Sequence, residues 1–120
     1  MGDGGDLKIR TKQFSIRIVK VVRVLPSNLE GRCISNQLFR CGTSVAANYR
    51  AACRARSRAD FISKIGIVIE EADESLFWLE FIIDLGLITE DKLSNLIKEG
   101  NEILAIMVAS NNSAKNNSKK

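Results

Sequence analysis

The chain has no histidine, one proline, one tryptophan, one tyrosine and only three cysteines in 120 residues. Without histidine it lacks the side chain best suited to moving a proton near neutral pH. It also lacks a glycine-rich phosphate loop, a nucleophile elbow, and any serine or cysteine with an evident base. No catalytic residue is therefore assigned, no enzyme activity is expected, and no cofactor is implied. Cys33, Cys41 and Cys53 fall in one expected helix, where about 1.5 Å of rise per residue holds their thiols more than about 10 Å apart, too far to pair. With no C-x-x-C spacing and no histidine, a zinc site is not expected, and the cysteines read as small buried residues in a reducing compartment. No apolar run approaches the roughly 20 residues of a membrane-spanning helix. The opening Met1 to Asp6 lacks the basic start and hydrophobic stretch of a signal peptide, so a cytoplasmic location is expected.

What is present is a mix of 45% hydrophobic and 27% charged residues, suited to one helical domain with one core. The net charge of +4 hides a polarity. Residues 1–60 hold twelve Lys/Arg against four Asp/Glu, net +8, and residues 61–120 hold six against ten, net −4. A basic front half can attract a polyanion, or it can join the acidic half within or between subunits.

Stop and start signals divide the chain into four helices. The first runs from about Leu7 to Leu25, ended by Pro26, with Leu7, Thr11, Phe14, Ile18, Val21, Val22 and Leu25 inward. Ser27-Asn28-Leu29-Glu30 has capping-box form, with Ser27 as the expected cap of a second helix reaching about Ala55. Its inner stripe is Ile34, Leu38, Cys41, Gly42, Val45, Tyr49 and Ala52. Ser57 to Asp60 is a second capping-box candidate, opening a helix that Gly86 closes. Thr89-Glu90-Asp91 opens the fourth, with Leu93, Leu96, Ile97, Gly100, Leu104, Met107 and Val108 inward. Connections this short make consecutive helices antiparallel. The expected fold is all-α, an up-down-up-down four-helix bundle over 7–110, with residues 1–6 and the polar tail 111–120 disordered.

The third helix has more apolar surface than one core uses. Phe61, Ile62, Ile65, Val68, Ile69, Ala72, Leu76, Leu79 and Ile83 supply the core face. Ile67, Phe77, Trp78, Phe81 and Leu85 form a second stripe among Glu70, Glu71 and Glu74. Leaving it in water forfeits several kcal/mol at roughly 1.5–3 kcal/mol per large side chain. Subunit contact is the expected remedy; a twist of the helix hairpin that covers part of it is the alternative.

Two charged groups invite a role. Glu70, Glu71, Asp73 and Glu74 suggest either a carboxylate metal site, which in bundles uses histidine partners missing here, or salt bridges to second-helix arginines, with Arg40 or Arg50 as candidates. The salt-bridge reading is favoured, and no metal is assigned. The basic group comprises Arg50, Arg54, Arg56, Arg58 and Lys64, supported by Arg32 and Arg40 and by Lys12, Lys20 and Arg23 on the first helix. Forked guanidinium donors match phosphate, and a cluster releases counterions from a nucleic-acid backbone. No sequence-reading module accompanies it, so any such binding is expected to be electrostatic. A solvated or ion-paired arginine surface is the alternative, leaving a protein–protein interaction scaffold with no nucleic-acid role.

The string Gln37 to Ala52, the following Arg54-Ala55-Arg56-Ser57-Arg58-Ala59-Asp60-Phe61, and the acidic run at 70–75 resemble the four-helix-bundle proteins encoded in intervening sequences of bacterial 23S ribosomal RNA genes. The close likeness covers about 29–88. The resemblance implies an antiparallel bundle assembled into a ring-shaped homopentamer, kinship with nucleic-acid-binding accessory proteins of diversity-generating retroelements, and no catalytic residues.

Overall fold

The computed structural model describes residues 3–118 and contains four α-helices. These are α1 (Asp3–Val24), α2 (Leu29–Cys53), α3 (Arg58–Asp84) and α4 (Glu90–Ser118). No strand occurs among the described residues. Each helix packs against its neighbour in sequence, and α1 closes on α4 less extensively. The result is the expected antiparallel bundle, 51 × 23 × 22 Å.

The helix ends follow from local chemistry. Pro26 follows directly on the last turn of α1, and the cap of α2 is Asn28 rather than Ser27: the Asn28 side chain accepts from the Gly31 amide at 2.9 Å. Ser27 instead presents its carbonyl to the Arg32 guanidinium at 2.6 Å. Ser57 caps α3 as expected, accepting from the Asp60 amide at 3.0 Å. Gly86 has φ +74°, and the amides of Gly86 and Leu87 donate to the carbonyls of Ile83 and Ile82 at 2.9 and 3.0 Å. This pair of bonds is the Schellman closure, and its left-handed residue favours glycine.

The inner stripe of α2 is as expected, joined at its start by Gly31. A Cβ on Gly42 would stand 2.3 Å from Ile18 Cγ2, so this glycine sets how closely α1 and α2 approach. Ser15 ties the same crossing together, donating to the Gly42 carbonyl at 2.6 Å. On α3, Ser75 and Ile82 join the core, whereas Phe61, Ile62, Ile69 and Ile83 are only partly buried. On α4 the buried series is Leu93, Leu96, Gly100, Ile103, Met107 and Asn111. Ile103 thus replaces Leu104 as the central core residue, and Val108 faces outward. These steps of three and four residues keep one face of α4 turned toward its partner helices.

Expectations for the chain ends and the cysteines are also corrected. Residues 3–6 and 111–118, expected to be disordered, are helical. No proline interrupts either segment, an established helix adds one hydrogen bond per residue, and Asn111 is buried. The expectations for residues 1–2 and 119–120 fall outside the described residues. Of the cysteines expected to be buried, only Cys41 is; Cys33 and Cys53 are exposed because they lie off the α2 stripe. Burial pushes the Cys41 thiol up, and Ser75 donates to its sulfur at 3.4 Å. Among the described residues no helix is long and apolar enough to cross a membrane.

Candidate functional site

Two surfaces stand out, at opposite ends of α3. Toward its C-terminus Phe77, Phe81 and Leu85 are 54%, 37% and 42% exposed, while Ile67 and Trp78 are partly buried. The one-turn spacing of Phe77 and Phe81 stacks their rings at 5.7 Å, and Trp78 meets both edge-on at 4.9 and 5.8 Å. Packing within the bundle therefore covers two of the five stripe residues in part and leaves three to solvent. Phe39 on α2, 49% exposed, was missed in the sequence. Its position off the 34-38-41-45 stripe was the available signal.

Two of the four acids beside this surface, Glu71 and Glu74, are engaged. Arg40 donates to Glu71 at 3.2 Å and to Glu74 at 2.6 Å. Trp78 Nε1 adds a bond to Glu74 at 3.1 Å. The guanidinium of Arg40 above all holds the Glu74 carboxyl below its ordinary value, desolvation opposes the shift, and the indole bond assists it. The same bonds raise Arg40 above its ordinary value. These acids thus serve α2–α3 pairing. A second clamp had no signal in the sequence: Arg10 on α1 makes a forked contact with Glu99 at 2.7 and 3.0 Å and reaches Glu102 at 3.1 Å. It fastens the less extensive α1–α4 seam, and the Glu99 bond is the main cause of its raised pKa.

The other surface is the α2–α3 corner. Arg50 lies in the last turn of α2, Arg54 and Arg56 in the connection, and Arg58 at the first position of α3. All four are exposed, Lys64 is half-buried, and among the described residues none of the five forms an ion pair. The seven expected phosphate-binding residues therefore divide. Arg50, Arg54, Arg56 and Arg58 stand together with their donors uncommitted, and Lys64 lies two turns along α3. Arg40 is held by two carboxylates, and Arg32 is folded onto the Ser27 carbonyl at the far end of α2. The charge was legible in the sequence, but its distribution between paired and unpaired arginines depended on which helix faces meet.

The family model of the 23S rRNA-intervening sequence proteins matches residues 6–109. No curated protein matches the chain. A crystal structure of a protein of unknown function from the S23 ribosomal protein family of Bacteroides thetaiotaomicron VPI-5482 is similar, with a TM-score of 0.84 and 33% identity over 91% of this chain and 97% of that one.

Proposed function

This chain belongs to the family of 23S rRNA-intervening sequence proteins, and from that premise we propose that it is a non-enzymatic, homo-oligomeric, cytoplasmic protein that binds RNA or DNA phosphates through the α2–α3 corner. The observation that carries the reading is the cluster of four exposed, unpaired arginines within nine residues, in a fold that pairs Arg10 and Arg40 with acids elsewhere. Forked guanidinium donors reach phosphate oxygens in pairs and displace condensed counterions without reading bases.

Self-association uses the α3 stripe. Phe77 lies nineteen residues beyond Arg58 on one helix, roughly 29 Å at 1.5 Å per residue, so subunits can meet there without covering the arginines. The homopentamer and the retroelement kinship implied by the family resemblance fit this division of the surface.

The test is fluorescence anisotropy with mixed RNA and DNA oligonucleotides across a salt series. The four corner arginines contribute roughly −3 to the slope of log K against log salt, and replacing Arg54, Arg56 and Arg58 by alanine flattens it by about 2. Salt-independent binding, or none, sinks the proposal. A stable oligomer that binds no nucleic acid would point instead to a protein–protein scaffold.

A further inference from the structure

The arginine corner is flanked by three adjoining clefts that run around the same end of the bundle. The first, about 580 Å³, lies between α1 and α2, with Lys8, Lys12 and Arg50 around a floor of Ala46 and Ala47. Lys8 also lines the second, about 700 Å³, which reaches Tyr49, Ser57, Phe61 and Ser110. Phe61 and Ser110 in turn line the third, about 600 Å³, between α3 and the end of α4, with Arg58, Ser113 and Asn117. Among the described residues no aspartate or glutamate lines any of the three, whereas a cleft farther along α4 contains Glu90 and Glu102. The third cleft exists only because α4 continues past Asn111.

We infer that these clefts form one track for a single nucleic-acid strand, with Phe61 as the platform on which an unpaired base stacks. The inference rests on the nucleic-acid reading above and adds the strandedness and the route. The cations sit toward the two ends of the track, Lys8, Lys12 and Arg50 at one and Arg58 at the other, where backbone phosphates pass. Phe61 stands between them, partly buried against the core and lining the second and third clefts. A ring presents a face to any base, clefts of this size accept a nucleobase, and a base stacked between its neighbours inside a duplex cannot turn its face to the ring. The hydroxyls of Ser57, Ser110 and Ser113 and the Asn117 amide offer hydrogen bonds to base edges without fixing a sequence.

The test compares a fluorescent oligouridylate and oligothymidylate with a duplex of the same length, using the full chain. Wild type is expected to prefer the single strands. Phe61→Leu, which keeps an apolar side chain against the core, weakens single-strand binding about tenfold and leaves duplex binding unchanged; Phe61→Tyr restores it. Lys8→Ala with Lys12→Ala, both on the exposed face of α1, weakens single-strand binding and flattens its salt dependence by about 1.4. Equal affinity for duplex and single strand, or a Phe61→Leu protein that binds both as wild type does, overturns the track while leaving the phosphate reading intact. Failure of wild type to bind any of the probes overturns both.

Discussion

Glu74 shows what a single residue can do on this scaffold. Arg40 and Trp78 both donate to its carboxylate, and its pKa falls below the ordinary value. The folded state therefore binds this proton less tightly than the unfolded chain. The stabilisation is complete above the unfolded carboxylate pKa and is lost as pH falls through the folded one. Thermal melts of wild type and Glu74→Gln are expected to differ near about pH 7 and to converge as the pH falls below the ordinary carboxylate range. The difference is small because the pair is open to solvent. A gap that persists undiminished in acid would show that the substitution acts through packing. The pairing of the acidic run with second-helix arginines was legible in the sequence, and Arg40 was one of two candidates. The indole bond was not, since it requires the Trp78 side chain to turn back one helical turn toward Glu74.

At the level of helices, the positions that matter are those where two elements cross. Gly42 and Gly66 both lie inside long helices, where glycine is intrinsically unfavourable. A methyl group on Gly42 would drive into Ile18, while one on Gly66 would meet nothing within 4 Å. Gly42→Ala is therefore expected to destabilise by about 1–3 kcal/mol through overpacking, and Gly66→Ala to stabilise by about 0.5–1 kcal/mol through helix propensity. Urea denaturation of the two variants separates these effects by sign. The small-residue stripe of α2 was visible in the sequence because its spacing is helical. The heptad-like run of α4 through Ile103 and Asn111 was misphased, because adjacent Ile103 and Leu104 are both apolar and only the partner helices choose between them.

For the whole molecule, the bundle places greasy and basic surfaces at opposite ends of α3, so the proposed assembly and the proposed binding can be perturbed separately. Phe77→Ser with Phe81→Ser removes two exposed rings that contribute little to the single-copy core. The proposed assembly is then expected to fall to the 13.3 kDa monomer in light scattering without losing helicity. Each ring buried between subunits is worth roughly 1.5–3 kcal/mol. A wild-type protein that is already monomeric removes the stripe from any role in assembly.

Periodicity, caps and charge content are properties of neighbouring residues, and from them alone came the four helices, their order, the antiparallel bundle and the surplus apolar face of α3. The division of the arginines was a tertiary decision. Arg40 meets acids 31 and 34 residues away, and Arg10 meets acids 89 and 92 residues away. Which arginines remain for a partner thus depends on the rotation of each helix about its axis against its neighbour. The clefts around Phe61 have the same origin, since they are bounded by helix ends that only packing brings together.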